Sequence, residues 1–193
     1  MTNARLQKEA GVDVPGGRVH GTASYQQNAL LHAEPAFIGS LLHMPRSMAS
    51  EALGLVLDDD LADYLHQLIV TVIRRLVAEG SAPDPVAVLA RARADGVVTG
   101  STAVQAMASR LHDLYASVPT PASWRLYALG TVDDALRRQC ITLGDRVAQA
   151  AESSALDVLI DVLDAECRSV RRLHERRLAV AGEVRPELRS VVA

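Results

Sequence analysis

The sequence predicts an all-α protein in which a small helical head is followed by a long antiparallel helical hairpin. Apolar residues recur at helical spacing through most of the chain, and glycine and proline interrupt this pattern at short intervals. Aromatic residues make up only 3% of the 193 residues, so the core must be built from Leu, Val, Ile and Ala. These side chains suit packed helices, and the length suffices for one sizeable core.

Breaks in the helical pattern divide the chain into four segments. Glycine-rich sequence without periodicity marks the N-terminus, and two prolines near Ser117–Pro121 separate the head from the hairpin. The predicted segments are a disordered tail (1–27), the head (28–118), the hairpin (119–179) and a flexible C-terminal tail (180–193).

Within the head, start and stop signals predict five helices. Pro35 is tolerated in the first turn of the first helix, Gly80 is placed to end the third, and Asp84 to cap the fourth. The acidic run Asp58–Asp60 is expected to cap the third helix rather than to bind a metal, because it lacks the glycine and the distant glutamate of a calcium loop. The predicted helices cover 33–45, 48–57, 61–79, 85–94 and 101–116.

Past the prolines, the spacing between apolar residues alternates between three and four positions. This pattern predicts two helices joined by a turn at Glu152–Ser154. A helix over 122–151 would be roughly 45 Å long at about 1.5 Å per residue, longer than the head is wide. Its apolar surface would stay exposed unless a second copy covered it, which predicts a homodimer through a four-helix arrangement. The predicted hairpin seam consists of Leu129, Leu136, Cys140, Leu143, Val147, Leu156, Leu159, Leu163 and Val170.

Charge and composition exclude several functions. The net charge of −3 disfavours autonomous DNA binding, so direct nucleic-acid contact is expected to be weak or absent. The only lysine, Lys8, is followed by Glu9, so the sequence contains no phosphate-binding P-loop and we expect no ATPase activity. The exception to the acidic balance is an arginine cluster in the last helix, with candidate partner or nucleic-acid contacts at Arg168, Arg171, Arg172 and Arg176.

No catalytic, cofactor or metal site is predicted, because the six histidines are scattered without metal-ligand spacing. His66 is expected to be a packed histidine bonded to a neighbouring backbone group. Cys140 and Cys167 fall on apolar positions and are expected to be buried thiols, which suits a reducing cytoplasm. The sequence shows no secretion signal and no apolar run of about 18 residues, so we expect a soluble cytoplasmic protein without a membrane segment.

Several segments, taken in order, resemble the N-terminal domain of DnaB-type replicative DNA helicases across roughly Leu31 to Leu173. They are AEPAFIGSLL, DDDLADYLHQLIVTVIRRLVAEG, SAPDPVAVLARARADG and VPTPASWRLYALGTV. The matching positions are Ala33, Glu34, Ile38, Gly39, Leu41, Leu42, His66, Leu68, Ile69, Val118, Pro119 and Tyr127. The chain departs from the family pattern at Pro35, which replaces a glutamine, and at Gly130, inside the first hairpin helix.

This resemblance implies an all-helical collar that dimerises, assembles into a trimer of dimers and binds primase. The leading hypothesis is therefore an interaction module that lacks a motor and binds replicative helicase, primase or a helicase loader. A second hypothesis is a nucleic-acid-binding regulator that uses the arginine-rich last helix. A third is one part of a split helicase, or a remnant without an independent role.

Overall fold

The structure, a computed structural model, describes the backbone of residues 33–191 and the side chains of residues 33–183. This part of the chain folds entirely into helices and contains no β-strand, which confirms the predicted all-α class. The tail predicted at 1–27 lies outside the described residues. The helices are α1 (Ala33–Leu41), α2 (Arg46–Leu55), α3 (Tyr64–Ala78), α4 (Pro85–Ala94), α5 (Ser101–Ser117), α6 (Trp124–Ser153) and α7 (Leu156–Val191), with short 3-10 turns at Asp58–Asp60 and Pro121–Ser123.

Helix α1 lies at the centre of the head, where it packs against α3, α5 and α6. Two glycines allow its close approach to neighbouring helices. A Cβ at Gly39 would lie 2.3 Å from the carbonyl oxygen of Leu114 in α5, and a Cβ at Gly130 in α6 would lie 2.6 Å from the Cβ of Ala33. Gly130, in the first hairpin helix, therefore allows α6 to pack closely against α1.

The N-cap of α3 is Asp63, whose side chain accepts a hydrogen bond from the Leu65 amide at 2.8 Å. The prediction that Asp58–Asp60 caps this helix is therefore wrong. The acidic run forms a 3-10 turn of its own that ends before α3 begins, and Asp58 instead accepts from Arg74 Nε at 2.8 Å. The predicted cap of α4 is confirmed, because Asp84 accepts from the amides of Val86 and Ala87.

Helices α6 and α7 form the predicted antiparallel hairpin, and the first half of α6 also belongs to the core of the head. Trp124, Ala128 and Val132 of α6 are buried in the same apolar cluster as Phe37 of α1. The head and the hairpin therefore share one core rather than meeting at a linker.

Helix α7 continues to Val191, so the structure corrects the helix end predicted at 179. The flexibility predicted for residues 180–193 stays a prediction. The physical reason is Val180, which is only 2% exposed and packs into the head core. An apolar side chain anchored in this way favours the continuation of the helix past 179.

Candidate functional site

Asp60 connects the head to both helices of the hairpin. Its side chain is buried and accepts hydrogen bonds from the Leu57 amide at 2.8 Å and from an η-nitrogen of Arg176 in α7, while its carbonyl oxygen accepts from Arg138 in α6. A buried carboxylate needs such donors, because an unpaired charge is costly to desolvate. This joint orients the hairpin relative to the head.

Further along the hairpin, polar pairs join α6 to α7. Asp133 accepts from Arg177 at 2.6 Å, and the nearby carboxylate raises the pKa of that guanidinium. Glu166, which is 8% exposed, accepts from Gln139 at 3.2 Å and from Arg146. These pairs fix which residues of α6 and α7 lie opposite each other.

The predicted seam residues occupy different environments in a single chain. Cys140, Leu156 and Leu163 are exposed, and the others are half-buried. Cys140 was expected to be a buried thiol, and this expectation is wrong, because its side chain is exposed; Cys167 is half-buried. The half-buried seam residues are Leu129, Leu136, Leu143, Val147, Leu159 and Val170.

Large apolar side chains remain exposed along the outer half of the hairpin. Leu156 is 72% exposed and Ile141 66%, far more than packed core residues of these types. We call this group the outer apolar surface, and it comprises Ile141, Leu156, Val158, Ile160 and Leu163.

The arginines of α7 whose side chains the structure describes divide into two groups. Arg176 and Arg177 are half-buried and bind Asp60 and Asp133, so they hold the hairpin in place. Arg168, Arg171 and Arg172 are exposed, and they are the most accessible of the four predicted contact residues.

A buried polar network joins α1, α3 and α5 inside the head. Arg110 donates to His66 Nε2 at 2.7 Å, and because a guanidinium cannot accept, this nitrogen carries no proton. The proton therefore sits on Nδ1, which donates to Glu34 Oε1 at 2.7 Å. The structural role predicted for His66 is confirmed, but its partners are side chains rather than the backbone.

Glu34 is ionised in this network. Burial by itself raises the pKa of its carboxyl, but hydrogen bonds from His66 and from the amides of Ala62 and Asp63 outweigh that effect and hold the pKa below its ordinary value. The Glu34 carboxylate therefore ties α1 to the start of α3.

The described part of the chain contains neither a cluster of metal-ligand side chains nor a membrane-spanning helix. Its side chains include no cluster of three or more His, Cys, Asp or Glu residues that could hold a metal ion. Between residues 33 and 191, no helix is both long enough and apolar enough to span a bilayer.

Comparison with known proteins assigns the fold. The family model of the DnaB-like helicase N terminal domain matches residues 26–130, which is more than half of the chain. The chain belongs to this family. Among solved structures, it is similar to the N-terminal domain of the DnaB helicase of Mycobacterium tuberculosis, with a TM-score of 0.63 and 27% identity over 72% of this chain and 96% of that chain. No curated protein matches the sequence.

The site residues that sequence reasoning missed are carboxylates. Asp60, Asp133 and Glu166 each bind an arginine of the hairpin. The sequence could have indicated Glu166, because this charged residue falls at helical spacing among the apolar residues predicted to form the seam of α7. Asp60 had none, because its arginine is 116 positions away.

Proposed function

We propose that this member of the DnaB-like helicase N-terminal domain family is an oligomerisation and protein-interaction module of DNA replication. The observation that carries the proposal is the outer apolar surface. It stays exposed although α6 and α7 are already joined to each other by the ion pairs of Glu166 and Asp133. Large apolar side chains left exposed on a folded domain are typical of interaction sites. A second copy of the chain is the first proposed partner, either as a dimer or as a trimer of dimers.

The proposed partners beyond the homodimer are a replicative helicase, a primase or a helicase loader. The module would act by scaffolding or by competition, without chemistry of its own, and in the cytoplasm. Support comes from the family of this chain and from the single lysine of the sequence, which lies outside any P-loop. A split helicase whose motor is a separate chain fits the same features, and a co-purifying RecA-type ATPase would identify it.

Mass measurement with partners tests this proposal. The purified chain is mixed with the replicative helicase and with the primase of its source organism, and each mixture is measured by light scattering. A complex heavier than either component supports the interaction module, and the absence of a complex with both proteins contradicts it. A parallel assay should find no DNA-stimulated ATPase, and ATPase activity of the pure chain would contradict a role without chemistry.

A nucleic-acid-binding regulator is the second candidate, favoured by the exposed Arg168, Arg171 and Arg172. Contacts to phosphates would weaken steeply as salt increases. Substituting Arg171→Glu and Arg172→Glu should then abolish DNA binding at low salt. An unchanged affinity, or no affinity in the original chain, contradicts this candidate.

A further inference from the structure

A cleft of about 670 Å³ lies where the acidic 3-10 turn of the head meets one side of the hairpin. The turn, α6 and α7 each supply one wall. This volume falls within the range of about 300 to 1,000 Å³ that small-molecule sites occupy. Its charged lining consists of Arg138, Arg172, Arg176, Asp59 and Asp60. We call it the arginine cleft.

Two of its guanidinium groups meet at one residue. Arg176 Nη2 donates to the Asp60 carboxylate, and Arg138 Nη2 donates to the Asp60 carbonyl oxygen. Arg172 lies four residues before Arg176 in α7, and residues with this spacing are neighbours on one face of a helix. The turn, α6 and α7 therefore bring three cations together.

The carboxylates of the cleft do not compensate all of this positive charge. Asp60 is ion-paired with Arg176, whereas neither Arg138 nor Arg172 is ion-paired with any described side chain. These two positive charges are accompanied by the single negative charge of Asp59, which is exposed. The arginine cleft therefore keeps a net positive charge that an anion would neutralise.

Support of the hairpin does not account for all the arginine donors. A guanidinium has five N–H donors, and Asp60 takes one from Arg138 and one from Arg176. The Nη1 atom of Arg176 is buried and has no acceptor among the described residues. An unsatisfied buried donor is costly, so a ligand oxygen that reaches it gains more than one that only replaces water. The guanidinium of Arg172 forms no hydrogen bond within the described chain.

The unused donors fit a phosphate group, because guanidinium groups bind phosphate oxygens with two parallel hydrogen bonds. A phosphate monoester carries a charge of about −1.5 to −2 at pH 7, close to that of the two unpaired arginines. Leu57, Ala135 and Leu173 line the same cleft and offer an apolar wall. We propose that the arginine cleft binds a small organic phosphate, with its phosphate on the three arginines and its organic part against this wall.

A DNA strand is the alternative source of phosphates, and the position of the arginines favours a small ligand. Arg138 and Arg176 are half-buried in the walls of the cleft, where a small molecule can enter between α6 and α7. A strand lying along the exposed face of α7 would instead contact Arg168 and Arg171, which do not line the cleft. The two ligands therefore depend on different arginines.

Isothermal titration calorimetry of the full-length chain tests the proposal. ADP and GDP supply the phosphates, and adenosine and guanosine are their phosphate-free counterparts. At least one nucleotide should bind, and its nucleoside should bind at least about 10-fold more weakly. Arg172→Ala should weaken nucleotide binding by about 10-fold or more, with folding retained because this exposed guanidinium holds no described group. Arg168→Ala, an exposed arginine of α7 outside the cleft, is the matched control and should leave the affinity unchanged.

Each contrary outcome has a distinct meaning. No binding of ADP, GDP or pyrophosphate would overturn the site, and nucleosides that bind as tightly as nucleotides would overturn phosphate recognition. Pyrophosphate that binds more tightly than both nucleotides would overturn the role of the apolar wall. Binding of single-stranded DNA that Arg168→Ala and Arg172→Ala weaken equally, without nucleotide binding, would assign the arginines to nucleic acid and overturn the cleft. These results leave the proposed oligomerisation untouched, because they measure ligand affinity rather than mass.

Discussion

The carboxylate of Asp60 is ion-paired with Arg176, which lies 116 residues further along the chain. This pair joins the 3-10 turn of the head to the far part of α7, beside the Arg138 side chain that binds the Asp60 carbonyl. The direction of the hairpin, and with it the position of the outer apolar surface, depends on this joint.

Asp60→Asn should lower the free energy of unfolding by roughly 2 to 3 kcal/mol, because it removes the charge that compensates a half-buried guanidinium. Asp59→Asn is the matched control, since Asp59 is exposed and lies next to Asp60 in the same turn. Urea denaturation of the two variants measures the difference. Equal stabilities would show that the joint contributes nothing to the fold.

Gly39→Ala should be strongly destabilising, by about 3 kcal/mol or more, because the new Cβ would lie 2.3 Å from backbone that cannot move independently of α5. Gly54→Ala offers the opposite case within α2, since apart from the adjacent backbone of α2 itself no atom lies within 4 Å of its Cβ position. That substitution should stabilise the chain by about 0.5 to 1 kcal/mol through helix propensity. Thermal melts of both variants check the signs, and a neutral Gly39→Ala would contradict the close packing of α1 on α5.

The Glu34 network should make stability depend on acid pH. The folded pKa of Glu34 is below its ordinary value of 4.5, so the ionised carboxylate contributes stability that is complete above 4.5 and is lost as the pH falls through the folded pKa. Glu34→Gln should therefore destabilise the chain more at about pH 7 than at about pH 3. Urea titrations of both proteins at the two pH values measure this, and an equal effect at both would contradict the network.

The sequence predicted those features that depend on local spacing. The all-α class, the cap at Asp84 and the hairpin itself follow from periodicity, capping residues and prolines. The family followed from short segments in a fixed order, and the match over residues 26–130 confirms it. These signals lie within a few residues of the features they determine.

The features that the sequence did not predict depend on contacts between distant residues. Asp60 was interpreted as a cap because nothing in its own segment indicates an arginine near the end of α7. Cys140 was interpreted as buried because a three- and four-residue pattern defines a stripe but not which of its edges faces the partner helix. The continuation of α7 past 179 depends on Val180 reaching the head core. Such contacts are visible only in three dimensions.

Sedimentation equilibrium of the full-length chain over a wide concentration range tests the central claim, that this domain is an oligomerisation module, most directly. We expect a mass of at least twice the 20.7 kDa of one chain. The variant Leu156→Ser/Ile160→Ser, which alters exposed side chains and leaves the core intact, should shift the equilibrium towards the monomer. A single-chain mass at every concentration, for the original sequence as well as the variant, would contradict the account.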